Sequence, residues 1–241
     1  MRGMEMASWA DYSRASRSRI NEYDRKRKKY PPKTGLTMPD LEDLQIGGSR
    51  MFQLAVLSID IRGFTKIAMA YNNKGVESLA RIQALYLAEM SNIIKEYDGV
   101  TEKYTGDGVM GLFGTESDTN AINDVSNAIK AALTVKLVLK NSLNPYLKES
   151  GLTEIQLGMG IDYGTVMMER VGLRGENQFS LAGPTVSLAS KMQAQAEPGQ
   201  IIIGEDVKKR VQGNDLKFVK PHKINWDFTY PLYLYDATWK E

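Results

Sequence analysis

The sequence predicts an α+β domain of the ferredoxin-like type, a mainly antiparallel sheet with helices packed on one face, preceded by an N-terminal helical arm. Three observations predict it. From residue 52 the apolar pattern runs strand, helix, strand, strand, helix, strand, which is the order of a split βαβ unit. The two middle strands flank a turn-forming Thr105–Gly106–Asp107–Gly108, the signature of a hairpin. The remaining pattern alternates between periods of 2 and 3.6 with no internal repeat.

Each element has its own local reason. Residues 8–29 form a polar, basic helix. Pro31, Pro32 and Pro39 then mark an extended arm to about residue 50, so 1–50 and 51–241 are read as arm and globular domain. Arg14, Arg17, Arg19 and Arg25–Lys29 form a basic cluster suited to phosphates or lipid headgroups, but such charge reads first as a solvated arm or a dimer contact. Phe52–Asp60 (FQLAVLSID) is a buried strand ending in a carboxylate. Val76, Leu79, Ala80, Gln83, Tyr86, Leu87, Met90, Ile93, Ile94 and Tyr97 recur at helical spacing and predict a helix over 75–97. Val100–Tyr104 and Val109–Phe113 are the hairpin strands. A helix over 119–144 is closed by Pro145. Ile155–Asp162 and Val166–Val171 read as two strands about Tyr163–Gly164. A helix follows over 184–196, then a short strand at Ile201–Ile203, a small helix from Glu205 to Arg210, and strand-like pieces near 216–220 and 230–235.

Composition narrows the chemistry. The 241 residues carry 31 basic and 29 acidic side chains, net +2, a balance that advertises neither nucleic-acid binding nor an acidic tail. There is no cysteine, so disulfides, thiolate metal sites and cysteine nucleophiles are excluded. His222 is the only histidine and stands beside Pro221, which excludes a His-ligated zinc site or a Ser-His-Asp triad elsewhere. A catalytic metal must then sit on oxygen ligands, which suits magnesium or manganese. No run of 18 apolar residues occurs and the N-terminus lacks a signal-peptide core, so the expectation is a cytoplasmic protein without a membrane span. Met159, Met167, Met168 and Met192 read as gap-filling residues, and Trp9, Trp226 and Trp239 as packing residues.

Two carboxylates carry the functional signal. Asp60 ends the first strand within IDIRGFT, and Asp107 sits in the hairpin turn within KYTGDGV. In a ferredoxin-like sheet the first and third strands are neighbours, so both acids can meet at one edge. Together they make a site for two divalent cations, with the Ile61 carbonyl as a further oxygen ligand. Gly63 lets backbone approach closely, and Phe64–Thr65 begin a helix whose unpaired N–H groups suit phosphate. Taken singly, these acids read better as a capping aspartate and a turn aspartate; their combination with the strand order and the glycines favours a site.

At this point the sequence resembles a known family. FQLAVLSIDIRGFT, EKYTGDGVMGLFG, GMGIDYGTV and SLAGPTVSLASKMQAQAEPGQIII, in this order, are similar to motifs of the class III nucleotidyl cyclase domain over about residues 50–210. The resemblance implies that Asp60 and Asp107 bind two metal ions, Mg2+ or Mn2+, with the Ile61 carbonyl assisting. It places Lys103 and Ser180 at base-selecting positions, lysine there resembling adenylyl cyclases. It places Ser187 and Lys191 where the family carries an Asn and an Arg that act on the transition state. Serine is shorter and lysine a point charge, so both depart from the pattern. The family works as a head-to-tail dimer, implying a homodimer whose sites share Asp60, Asp107 and Lys103 of one chain with Ser187 and Lys191 of the other.

Within the family the sequence looks most similar to the bacterial pyrimidine cyclases of Pycsar anti-phage systems. That resemblance implies UTP or CTP as substrate and cyclic UMP or cyclic CMP as a messenger in defence. Tyr104 or Arg62 near the base would favour the smaller pyrimidine on steric grounds. Two alternatives stand beside it: an adenylate cyclase making cyclic AMP, and an inactive cyclase-like domain that binds nucleotide or a partner, the latter opposed by the retained aspartate pair. A diguanylate cyclase requires a different hairpin motif and is set aside.

Overall fold

The computed structural model describes residues 9–29, 49–71, 75–114, 120–173, 176–211, 217–219 and 226–236; the expected extended arm, His222 and Trp239 lie outside the described residues. The elements in chain order are α1 (Trp9–Lys29), β1 (Ser49–Ile61), α2 (Phe64–Tyr71), α3 (Val76–Glu96), β2 (Gly99–Thr105), β3 (Gly108–Phe113) and α4 (Ala121–Val138). A π-helical turn (Leu139–Leu143) leads to α5 (Asn144–Glu149), β4 (Leu157–Leu173), β5 (Glu176–Ala182), α6 (Pro184–Gln195), β6 (Ile201–Gly204), α7 (Glu205–Lys208), β7 (Lys217–Val219) and β8 (Leu232–Asp236). The sheet runs β2-β3-β1-β4-β6-β8-β7, with β5 paired to β4. All its pairings are antiparallel except β4 with β6. The β2-β3-β1-β4 portion is the ferredoxin-like order, and the predicted fold class holds.

Strand β1 is central, and its alternation divides the core. Ala55, Leu57, Ile59 and Ile61 face a large cluster that includes Leu85, Tyr86, Ile93 and Ile94 of α3 and Val125, Ala128 and Ile129 of α4. Leu54 and Val56 face the opposite side, in a cluster with Val166 of β4 and Ala189 of α6. Helices therefore cover both faces of the sheet, which corrects the expectation of one. Such a strand, apolar at both alternations, belongs to a sheet covered on both sides.

The expected turn at Tyr163–Gly164 is absent: β4 continues unbroken through it. Gly164 serves close approach instead, since a Cβ there would lie 2.6 Å from Thr185 Oγ1 of α6. Gly160 acts likewise, its virtual Cβ only 2.1 Å from the Ala189 carbonyl oxygen. The distal half of β4 pairs with β5, from Met167↔Ala182 to Leu173↔Glu176, a strand the sequence pattern did not separate from its surroundings.

Pro145 does not end the fourth helix either. The chain passes through the π turn, and Pro145 lies in the first turn of α5, where its missing N–H costs no helical bond. Asn144 fixes this junction, its amide bonding both the N–H and the carbonyl of Ile155 at 2.9 Å.

Helix α1 is docked on the body of its own chain, which corrects the reading of this segment as a solvated arm. Ile20 is buried in the main core. Ser16 donates to Glu89 at 2.5 Å, and Arg19 reaches Glu89 at 3.1 Å and Glu96 at 2.9 Å. Arg81 of α3 forks onto Asp24 with two bonds of 2.6 Å, and Tyr146 of α5 donates to the same carboxylate at 2.6 Å. Arg17 lies over the Tyr146 ring at 4.7 Å. Bidentate guanidinium–carboxylate pairs of this kind fix geometry as well as charge. Among the described residues no helix is long and apolar enough to cross a membrane.

A second buried polar cluster closes the far side of the sheet. Asp162 of β4 is 2% exposed and accepts from the Tyr230 hydroxyl at 2.8 Å, which in turn accepts from the Asp206 N–H at 2.9 Å. Burial pushes the Asp162 carboxyl up to about 7, the Tyr230 hydrogen bond working against it.

Two predictions follow from this packing. Arg81→Met strands the buried Asp24 carboxylate and should lower the unfolding free energy by about 3 kcal/mol in urea titrations. Asp162 holds a proton in the folded state between its unfolded pKa, about 3.9, and its folded value of about 7. The folded state binds more protons in that window, so this contribution to stability is present in acid and lost as pH rises through 7. Asp162→Asn keeps an acceptor for Tyr230, and its melting temperature should exceed wild type above pH 7 and fall less between pH 5 and 8.

Candidate active site

Strand register brings the two acids together. In the β1–β3 ladder Ile59 faces Val109 and Asp60 faces Gly108, so the end of β1 lies beside the hairpin turn. The Ile61 N–H donates to the Asp107 carbonyl at 3.3 Å and pins that turn to β1. Gly106 has φ +71°, a left-handed conformation that glycine adopts without strain. Gln83 of α3 donates its side-chain amide to the Gly106 carbonyl. The side chain of Asp60 is 27% exposed, and Asp107 is half-buried.

The electrostatics are those of a partly buried acidic pair with one adjacent cation, Arg62. Burial raises the pKa of Asp60 first, and the neighbouring Asp107 raises it further; Arg62 and Gln193 act in the opposite sense. Arg62 donates to Asp60 Oδ2 at 2.8 Å and, with its other terminal nitrogen, to the Ala194 carbonyl in the last turn of α6 at 3.2 Å. Gln193 donates to the same Oδ2 at 3.2 Å. Asp60 Oδ1 has no hydrogen-bond donor among the described residues. Nearby, the hydroxyl of fully buried Tyr86 has no partner among the described residues, and its ionisation is opposed by burial and then by both aspartates.

These features fit a hydrated divalent cation. Two carboxylates and a strand-end carbonyl are hard oxygen donors, and an orphaned buried hydroxyl is a ready partner for an ordered water. No group of three or more His, Cys, Asp or Glu side chains gathers among the described residues. The protein thus offers two carboxylates and leaves further coordination positions to water and ligand phosphate, the usual arrangement for Mg2+.

The segment after Asp60 turns sharply. Gly63 has φ +68° with nothing within 4 Å of a virtual Cβ, and it opens α2 by accepting from the Lys66 N–H at 2.9 Å. Phe64 packs against the core while Thr65 is exposed. The N–H groups of Phe64 and Thr65 precede the first intrahelical bonds, which run from Lys66 and Ile67 to the Gly63 carbonyl.

Other sequence-predicted residues take distinct places. Lys103 and Tyr104 lie on β2, the strand that enters the Asp107 turn. Lys103 is exposed, 3.9 Å from the Glu102 carboxylate. Tyr104 leans on α3, its hydroxyl 2.9 Å from Ser91 Oγ, and lines an open groove of about 330 Å³ with Ala80, Gln83, Ala84, Leu87 and Ala88. Ser180 lies on β5. Ser187 and Lys191 are one turn apart on the exposed side of α6, and the Lys191 ammonium sits 5.2 Å from the Phe228 ring centre. No contact joins Ser180, Ser187 or Lys191 to the aspartates within the described part of the chain. Sequence reasoning missed Gln83, Gln193 and Phe228; Gln83 appeared only as part of a helical stripe, and Gln193 lay inside the SLAGPTVSLASKMQAQAEPGQIII segment without being singled out.

Residues 49–227 match the model of the adenylate and guanylate cyclase catalytic domain. A cytidylate cyclase of Staphylococcus aureus is 27% identical over 64% of this chain and 36% of its own length. An adenylate cyclase of Anabaena cylindrica is 29% identical over 64% of the chain and 29% of its length. A uridylate cyclase of Burkholderia cepacia is 26% identical over 85% of the chain and 88% of its length. The chain thus spans about a third of the first two relatives and most of the third. Among solved structures, an adenylyl cyclase from P. aeruginosa superimposes with a TM-score of 0.70 at 25% identity, covering 80% of this chain and 97% of that one.

Proposed function

The chain belongs to the adenylate and guanylate cyclase catalytic domain family, and from that premise we propose that it converts a nucleoside triphosphate into a 3′,5′-cyclic nucleotide and pyrophosphate. The observation that carries this reading is the juxtaposition of Asp60 and Asp107 by the β1–β3 register, beside a glycine-led helix start. In the reaction the ribose 3′-oxygen forms a bond to the α-phosphorus, the bond from that phosphorus to the pyrophosphate oxygen breaks, and the 3′-hydroxyl proton is released.

Asp60, Asp107 and the Ile61 carbonyl would hold two divalent cations, Mg2+ or Mn2+, which lower the pKa of the attacking hydroxyl and neutralise phosphate charge. The chain itself positions and shields. Gly63 and the N–H groups of Phe64 and Thr65 receive phosphate oxygens. Lys103 and Ser180 read the base, Lys191 supplies a cation for the phosphates, and Ser187 holds the ribose. Ser187 and Lys191 lie on the exposed side of α6, and the reading joins them to the aspartates of a second copy, in a two-fold homodimer with two equivalent sites.

For the base we favour UTP or CTP. The cytidylate and uridylate cyclases among the relatives support that preference, and a messenger role in anti-phage defence is the corresponding biological reading. In this reading Tyr104, bonded to Ser91 of α3, and Arg62, bonded to Asp60, are the bulky side chains that would disfavour a purine. The second reading is adenylate cyclase; the exposed Lys103 and the Anabaena cylindrica relative favour it.

The test is incubation of the purified protein with ATP, GTP, CTP and UTP in turn with Mn2+, products being read by mass spectrometry. A cyclic pyrimidine monophosphate is expected, reduced on the order of 100-fold or more in Asp60→Ala and Asp107→Ala; cyclic AMP would establish the second reading, and no product from any nucleotide would count against both. Mixing Asp60→Ala with Lys191→Ala chains should restore part of the activity through one intact shared site. Mixed dimers that form without regaining turnover would refute the shared site.

A further inference from the structure

We propose that Gln83 and Gln193 are the positioning residues of the metal site, each fixing one of the two aspartates from a helix on a different face of the sheet. This inference rests on the reading of Asp60 and Asp107 as metal ligands.

Gln193 lies on the inner side of α6 and is 8% exposed. A buried amide needs a partner, and a backbone carbonyl would serve as well as any. Here its donor goes instead to Asp60 Oδ2 at 3.2 Å, the oxygen that also receives Arg62. Two donors on Oδ2 fix the carboxylate plane and leave Oδ1 for a ligand. Arg62 does this at the cost of placing a positive charge beside the site. The carboxamide of Gln193 orients Asp60 without cancelling its charge, which a cation-binding carboxylate requires.

Gln83 performs the matching task from α3. Its amide donates to the carbonyl of Gly106, the residue immediately before Asp107. Gly106 is the position of positive φ in the turn, so the orientation of the following peptide, and with it the direction of the Asp107 side chain, depends on where that carbonyl is held. The Ile61 N–H holds the carbonyl on the other side of Asp107 at 3.3 Å. The aspartate is therefore clamped between a helix-borne amide and the central strand. Hydrogen-bonded groups behind a carboxylate ligand commonly change metal affinity by about 10- to 100-fold when removed.

The experiment measures Mn2+ binding to the nucleotide-free protein by the electron paramagnetic resonance signal of the free ion, with thermal melting in chelator as a control. Gln193→Met and Gln83→Met keep length and remove the donor; Gln193→Asn and Gln83→Asn keep the amide but shorten its reach. Each is expected to weaken Mn2+ binding about 10-fold with metal-free melting unchanged. Binding as tight as wild type in the Gln variants, with binding lost in Asp60→Ala, overturns the positioning inference and leaves the metal reading standing. Binding as tight as wild type in Asp60→Ala overturns the metal reading and this inference with it. A loss of binding that tracks a fall in metal-free melting also overturns the inference, since it assigns the glutamines to stability alone.

Discussion

The placement of β1 between β3 and β4 is the constraint on which the rest depends. Thirteen residues of β1 pair continuously with β4, from Ser49↔Glu169 to Ile61↔Leu157, while the second half pairs with β3. A strand presents alternate side chains to opposite faces, so a slip of one residue would exchange the two sets. Ala55, Leu57, Ile59 and Ile61 would leave the α3–α4 core, and Asp60 would be driven into it. Burial of that apolar set thus sets where the carboxylate emerges. The same ladder delivers Asp107, because Asp60 can face Gly108 only when the hairpin is in register.

Close approach on the α6 face adds a second constraint. Gly158, Gly160 and Gly164 fall at alternate positions of β4 that face α6, and side chains there would meet Arg62, the Ala189 carbonyl and Thr185 respectively. Their absence lets α6 lie close to the sheet. It then reaches Asp60 through Gln193 on its inner side while presenting Ser187 and Lys191 outward. One helix thereby ties the Asp60 carboxylate of its own chain to the surface proposed to serve a second copy. Opposite it, α3 connects the docked α1, through Arg81 and Glu89, to the Asp107 turn, through Gln83.

Much of this was legible in the sequence where a single physical rule governs. The FQLAVLSID run, the α3 stripe and the Gly106–Asp107–Gly108 turn each announce their element, and the strand order alone brings Asp60 to Asp107. The misreadings arose where one residue type answers to two rules. Gly164 was read as a turn residue, but its role is to admit Thr185 of α6, a partner remote in sequence. Pro145 reads as a helix stop, yet a π turn before it shifts the backbone register so that it becomes a first-turn residue. Arg17 and Arg19 read as solvated charge, because their partners Glu149, Glu89 and Glu96 are brought near only by tertiary packing. Gln83 and Gln193 stayed silent for a related reason: a glutamine on a helix carries no pattern, and only the acceptor it meets gives it meaning.

The departures at Ser187 and Lys191 can be weighed on the same physical footing. A lysine cannot grip phosphate with a planar fork, and its flexible stem must be held if its charge is to act at one place. Here the ammonium rests 5.2 Å from the Phe228 ring centre, within the range of a cation–π contact. Phe228 is itself braced edge-on by Trp226 at 5.0 Å, whose indole N–H donates to the Tyr230 carbonyl at 2.8 Å. The Tyr230 hydroxyl is anchored in turn on buried Asp162. The lysine thus stands at the end of a chain of contacts that begins in the sheet, and part of the constraint an arginine carries in its own geometry is supplied by the aromatic segment beneath it.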